Sequence, residues 1–241
     1  MADIRSRAVG LQLQVQASSR SSGRQRCICC ECTFDNFESY VDASGVSTEQ
    51  CPSCGSHPRH RSFAELFASL DAVRNRFARL LHVSPEPSIR AVIGRYWAGS
   101  VVSLDLYRRG VDLQASVESL PFADESFDAV ICSHVLEHVV NDRRALDELR
   151  RIVPSQAWLW LQVPVEPALV LTREADDTDD SRLRGQLLGE SDHHRLYGLD
   201  IVDRLAVAGF AVFMEEDRSV RSDGFVSTPG QQESLILARP I

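Results

Sequence analysis

Several absences narrow what this 241-residue chain can do. No apolar run approaches the ~18–20 residues needed to cross a bilayer, so no membrane span is expected. Positive charge is not in excess: 26 basic against 34 acidic side chains leave a formal charge of −8. That balance argues against wholesale binding to a nucleic-acid backbone. Glycine is missing between Leu80 and Ile93, where a dinucleotide fold would carry G-x-G-x-x-G after its first strand. Without those glycines close approach to a pyrophosphate is unsupported, and NAD or FAD is not expected. Outside one window cysteine is nearly absent, since six of the seven lie between Cys27 and Cys54. Such clustering indicates a metal rather than a disulfide framework, and with it a reducing, cytoplasmic setting. Residues 1–26 are rich in Arg and Ser but contain Asp3 and no clear apolar face, and are read as a flexible tail.

Within the cysteine window, C27-I-C-C30-E-C32 offers two overlapping CxxC pairs, and C51-P-S-C54-G offers one. A CxxC turn lets two thiolates converge on one ion, and two such turns complete a tetrahedron. The 20 residues from Cys30 to Cys51, or 18 from Cys32, both suit a zinc ribbon. Cys27 and Cys30 are the favoured first pair, because Phe34 and Phe37 then follow at a distance suited to covering the site. The expected ligands are therefore Cys27, Cys30, Cys51 and Cys54, with Cys29 and Cys32 spare. A four-thiolate site leaves no open position for substrate, so its zinc is expected to be structural. Arg59, His60 and Arg61 form a small basic corner, yet five acidic residues make this module acidic overall and disfavour phosphate tracking. The ribbon is assigned to 27–62, and a connecting helix carrying Phe63, Leu66, Phe67, Leu70, Val73 and Phe77 to 63–79.

From Leu80 onward short apolar runs alternate with helical patterns, as in a parallel sheet with crossover helices. Strands are expected at Leu80–Ser84, Ser100–Asp105, Leu113–Ser116, Phe127–Cys132, Ala157–Val163, Phe210–Met214 and Ser234–Ala238. Helices are expected over Asn141–Ile152, capped by Asn141 or Asp142 and stopped by Pro154, and over Asp200–Ala208. Ligands of open α/β sheets bind beyond the carboxyl ends of the strands. That rule places Asp105 and the polar group Ser133, His134, Glu137 and His138 at a site. The stretch from Thr172 to Asp192, with Glu174, Asp176, Asp177, Asp179 and Asp180, reads as a solvated surface loop.

The run LPFADESFDAVICSHVLEHV, followed by ALDELRRIVPSQAWLWLQVP, resembles class I methyltransferases that use S-adenosylmethionine, type 11-like and related to quinone-biosynthesis enzymes. More narrowly, C51-P-S-C-G-S-H-P-R-H-R61, L81-H-V-S-P-E86 and D192-H-H-R-L-Y-G198 together resemble a bacterial group with an N-terminal zinc ribbon. The resemblance covers roughly Leu80 to Ala238 and implies an α/β fold: a Rossmann-like, seven-stranded methyltransferase sheet, here over 80–241, behind a zinc ribbon. It implies that His82 takes the acidic position of the relatives' D/E-x-G-x-G loop, while Ser84 and Glu86 take glycine positions. It also implies that Asp105, with Leu106, binds the cofactor ribose, and that Ser116, with Val117, meets the adenine. Ser133 and His134 would then face the reactive sulfonium.

His134-V-L-E-His138 also satisfies H-x-x-E-H, a zinc-protease signature, but the helix it requires and a third ligand are unsupported, with His193 or His194 the residues that could supply that ligand. For methyl transfer, His138 and His193, with His134, are the candidate catalytic residues, since an imidazole can take the acceptor's proton near neutral pH. Arg195 and Tyr197 are candidates for orienting the acceptor; a packing turn is the alternative reading of their segment. The expected activity is S-adenosylmethionine-dependent methylation of a small-molecule or sugar-containing acceptor. Two rivals stand beside it: a ribosomal RNA methyltransferase, and a non-catalytic binding protein of the same fold.

Overall fold

The computed structural model describes residues 24–41, 47–69, 78–175, 180–216 and 232–241. The tail expected at 1–26 falls almost wholly outside these residues, as do 70–77 of the connecting helix and 176–179 of the acidic stretch. The main sheet has seven strands in the order β12 (Phe210–Glu216), β13 (Gln232–Pro240), β9 (Trp158–Val165), β8 (Ala129–Ser133), β5 (Arg79–Val83), β6 (Ser100–Asp105) and β7 (Leu113–Gln114). All neighbours pair in parallel except β13, which runs antiparallel to both β9 and β12. Chain order reverses between β5 and β8, so the crevice for a ligand opens at the carboxyl ends of these strands. Each expected strand is present, with its ends shifted by up to two residues.

β8 reads AVICS with every residue buried, the pattern of a strand covered on both faces. Helix α3 (Asp142–Arg151) starts where expected: the Asn141 side chain accepts from Arg144 N, satisfying one of the free amides of the first turn. Two expectations change. The basic corner Arg59–Arg61 is not part of the ribbon, because helix α1 (Pro58–Ser69) begins at Pro58, whose missing N–H suits a first helical position. The stretch read as a loop contains strand β10 (Arg173–Glu174), paired with β11 (Arg195–Leu196), and helix α4 (Ser181–Leu188), capped by Asp180, whose carboxylate accepts from Arg182 N and Leu183 N. Its acidic composition hid a short helix that is tied down by one buried leucine, Leu188.

Ahead of the sheet, β1 (Gln25–Arg26) pairs with β2 (Thr33–Phe34), and β3 (Glu38–Val41) with β4 (Ser47–Gln50). These hairpins share one apolar cluster with the sheet. Cys27, Cys29 and Cys51 pack with Phe63 and Phe67 of α1, Ile89 and Trp97 around helix α2 (Pro87–Tyr96), and Ile131 and Trp160 of the sheet. Among the described residues no helix is long and apolar enough to cross a membrane.

Candidate functional site

The two cysteine turns are near copies. In the first, Glu31 N donates to Cys27 O at 2.7 Å and Cys27 N to Cys32 O at 3.0 Å. In the second, Gly55 N donates to Cys51 O at 2.8 Å and Cys51 N to Ser56 O at 2.9 Å. Both turns pass through left-handed backbone at matching positions, Glu31 (φ 62°) and Gly55 (φ 68°). The sulfurs of Cys27, Cys30, Cys51 and Cys54 converge within 4.8 Å of one another, at 3.8 Å for Cys27–Cys54 and 3.7 Å for Cys30–Cys51. A tetrahedron with Zn–S bonds of about 2.3 Å has edges of about 3.8 Å, so this donor set fits zinc. The Cys27 thiol is held down near 3 by the Cys29 thiol, by Ser56 and by two backbone amides, against the effect of burial. Cys29 and Cys32 stay outside the cluster, one buried and the other exposed. Phe34 and Phe37 stack edge-to-face beside it, 4.9 Å apart.

At the carboxyl end of β5, Ser84 takes up left-handed backbone (φ 48°) at a position where relatives have glycine. That conformation costs a non-glycine residue roughly 1–2 kcal/mol. The residue is held there by its amide on Leu104 O at 2.7 Å and its hydroxyl on Asp105 Oδ2 at 3.0 Å. Asp105, at the end of β6, also accepts at Oδ1 from Tyr107 N (2.8 Å) and Arg108 N (2.7 Å). Burial raises its carboxyl pKa, but these amides and the Ser84 hydroxyl outweigh it and hold the group below its ordinary value. A carboxylate offers about four acceptor positions, so Oδ2 keeps room for a ligand hydroxyl. Ser116 Oγ accepts from Glu118 N, Val117 is buried and Leu106 is exposed.

Glu86 and His82 sit differently from what the relatives' loop implies. Glu86 precedes α2 with ordinary backbone (φ −84°), and its Oε1 accepts from Arg59 Nη2 (2.9 Å) and His60 Nε2 (2.8 Å). Its Oε2 lies 3.4 Å from Ser133 Oγ, which also reaches Gln162 Oε1 at 3.1 Å. Burial raises the Glu86 carboxyl, but His60, Arg59 and His134 reverse the shift and leave it well below the carboxylate range. His82 is buried in mid-strand, neither ring nitrogen has a hydrogen-bond partner among the described residues, and burial lowers its pKa to about 4.

After β8 the chain forms a turn over 134–140 rather than a helix, and α3 starts only at Asp142. The helix that the H-x-x-E-H protease geometry needs is therefore missing. His134, in left-handed backbone (φ 51°), places Nδ1 2.9 Å from Glu137 Oε1. His138 turns instead toward His193, ring centroids 4.8 Å apart, with its Nδ1 3.3 Å from Asp192 Oδ2. His193 Nδ1 donates to Leu188 O at 3.1 Å. Glu137, His138 and His193 bring ligand-type atoms within 4.8 Å of one another, and Oε2 of the fully buried Glu137 has no hydrogen-bond partner among the described residues. These three residues could hold a cation, or present a proton acceptor to a substrate.

Arg195 and Tyr197 hold this turn from beneath. The buried Arg195 guanidinium donates to the carbonyls of Leu136, Val139 (2.6 Å) and Val140 (2.9 Å). The buried Tyr197 hydroxyl lies 3.1 Å from Asp142 Oδ2. Gly198 lets the chain cross 169–171, where a Cβ would meet Leu169 O at 2.7 Å. Sequence reasoning missed the Glu86–Arg59–His60 cluster and Gln162; the only signal was the motif R59-H-R61 itself.

Residues 68–161 match the model of the methyltransferase domain family. The α/β domain has the Rossmann-like fold of class I methyltransferases, and that family match falls largely within it. Its fold is shared with the YcgJ protein from Bacillus subtilis, at TM-score 0.54 and 16% identity over 75% of this chain and 98% of that one. It is shared with the [4+2]-cyclase SpnF, at TM-score 0.55 and 15% identity over 75% and 81%. The N-terminal domain of EvdMO1, solved with S-adenosylhomocysteine bound, matches at TM-score 0.50 and 17% identity over 74% and 81%. One stretch of 56 residues is 43% identical to an uncharacterised protein of Methanocaldococcus jannaschii, and spans 23% of this chain and 24% of that protein. The chain thus matches about a quarter of that relative's length. In methyltransferase terms, Ser84, Asp105 and Ser133 stand at the ends of the first, second and fourth strands.

Proposed function

We propose that the protein transfers a methyl group from S-adenosylmethionine to a small-molecule or sugar-containing acceptor, and that zinc in the four-cysteine module is structural. The observation that carries this reading is the meeting of Ser84 and Asp105, 3.0 Å apart, at the carboxyl ends of β5 and β6. The left-handed Ser84 keeps the turn shape that glycine supplies in relatives, and Asp105 remains ionised with an acceptor position to spare. When bound, the cofactor supplies a methyl carbon already activated by its sulfonium charge. Asp105 takes a ribose hydroxyl, Ser116 the adenine amino group, and Ser133 and His134 border the methyl-bearing side. His138 and His193 line the acceptor's approach, where an imidazole nitrogen receives the proton that the acceptor releases. Arg195 and Tyr197 act through the 134–140 turn, which they hold in place. Most of the rate gain then comes from alignment of acceptor and carbon.

Negative net charge supports a small acceptor over RNA, and so does the inward use of the basic corner. Arg59 and His60 bind Glu86, and the Arg61 guanidinium lies 3.9 Å from the Phe37 ring centroid. The test is isothermal titration with S-adenosylhomocysteine. Binding is expected, with Asp105→Ala weakening it about tenfold or more, roughly 1.4 kcal/mol. No binding, with Asp105→Ala behaving as wild type, overturns the proposal. A second reading, a protein of this fold without methyl transfer, is favoured by the replacement of the loop glycines by Ser84 and Glu86. Cofactor binding without turnover across a panel of hydroxyl and amine acceptors would support it.

A further inference from the structure

We propose that Arg59 and His60 are positioning residues for the cofactor loop, so that the cysteine module sets the affinity of the methyltransferase domain for its cofactor. The inference rests on the methyltransferase reading above and adds a role for the ribbon beyond that of a staple.

A side chain at the second glycine position must go somewhere. Glu86 turns its carboxylate to α1 and to the end of β8, where Arg59, His60 and Ser133 meet it at 2.9, 2.8 and 3.4 Å. The donor role of His60 is defined by its other nitrogen: Nδ1 accepts from His57 N at 2.9 Å, so Nε2 carries the hydrogen that goes to Glu86. Both bonds are sheltered, with His60 buried and the Glu86 side chain only 20% exposed. A charge-assisted contact in such surroundings is stronger than one on the surface.

The same loop is tied to both cysteine turns. From the second turn the chain passes through the buried Ser56, whose hydroxyl lies 3.2 Å from Cys27 Sγ, into the first turn of α1. Arg61 Nη1 closes that passage on Ser56 O at 2.9 Å. At the first turn, Arg95 in the last turn of α2 donates to Ile28 O (2.9 Å) and Cys29 O (3.0 Å). Helix α2 is thus gripped at its N-terminus through Glu86 and at its C-terminus through Arg95, about 14 Å apart along the axis. With a metal bound between them, the two cysteine turns would fix the helix and the loop that lead into the cofactor site.

Packing alone would predict lower stability with unchanged affinity in the folded protein, whereas positioning predicts lower affinity at unchanged zinc content. The experiment uses the full zinc-loaded chain and measures S-adenosylhomocysteine affinity, zinc per chain and melting temperature together. His60→Ala, Arg59→Ala and Glu86→Ala are each expected to retain zinc and weaken binding about tenfold or more. His60→Gln, which keeps an N–H donor, is expected to recover part of the loss and serves where alanine compromises folding. The double variant His60→Ala/Glu86→Ala should bind no worse than the poorer single. Removing zinc from wild type by chelation should weaken binding reversibly, and should add little in Glu86→Ala. Wild-type affinity in folded His60 and Glu86 variants overturns this inference alone, as does a double variant whose loss equals the sum of the singles. Absence of binding by wild type overturns the methyltransferase reading and takes this inference with it.

Discussion

His82 stands on β5 opposite Ser103 of β6 and Ile131 of β8, in the middle of the sheet, where a charge has no solvent to stabilise it. Burial lowers its pKa from 6.5 to about 4. Between those values the unfolded chain binds a proton that the folded chain refuses, so stability rises with pH across that window and is lost as pH falls through it. The full effect is on the order of 3 kcal/mol. Urea denaturation at pH 7 and pH 4.5 should show wild type losing more stability than His82→Leu; parallel losses would remove His82 from the account. A second single-residue prediction concerns the metal. Cys27→Ser should abolish stoichiometric zinc and Cys29→Ser should retain it, because only Cys27 stands among the four converging sulfurs. Metal analysis of the two purified variants decides between the knuckles that the overlapping CxxC pairs left open.

At the scale of elements, the turn over 134–140 owes its shape to a segment far away in the chain. Three of its carbonyls accept from one buried guanidinium. Arg195→Ala would take this donor from Val139 and Val140, leave Leu136 O with the Tyr197 hydroxyl at 3.3 Å, and leave Asp142 with one fewer positive neighbour, at 3.7 Å. The expected loss is about 3 kcal/mol by chemical denaturation, and Tyr197→Phe should lose about 1 kcal/mol. If Arg195 instead met only the acceptor, Arg195→Ala would leave stability unchanged and alter the acceptor's KM. The motif D192-H-H-R-L-Y-G198 was visible as a functional candidate, but its inward orientation was not. Arg and Tyr have the same spelling whether they face a substrate or a carbonyl.

For the molecule as a whole, the ribbon and the sheet behave as one body because they share one core. Cys27 and Cys51 pack in the same apolar cluster as Ile131 and Trp160. Removing zinc should therefore lower the melting temperature of the entire chain in a single transition rather than release a separate small module. Two resolved transitions in differential scanning calorimetry would contradict this. The acidic ribbon carries a further prediction, that RNA affinity is weak: a tight complex whose affinity falls steeply with added salt would favour the ribosomal RNA reading.

Local chemistry alone determined much of this protein. Apolar runs placed all seven strands, Asn141 marked a helix start, and CxxC spacing identified a four-sulfur centre, because burial, capping and ligand geometry act over a few neighbouring residues. Tertiary structure decided the rest. The sulfurs of Cys27 and Cys30, rather than those of Cys29 and Cys32, meet Cys51 and Cys54 because two turns that lie far apart in the chain come together. The basic corner became a latch because α1 begins at Pro58 and meets Glu86, 27 residues on from Arg59. His138 and His193 came together because the segment after α4 folds back over the turn that follows β8. Each of these is a long-range contact, and the identity of a side chain does not say which distant partner the fold will bring to it.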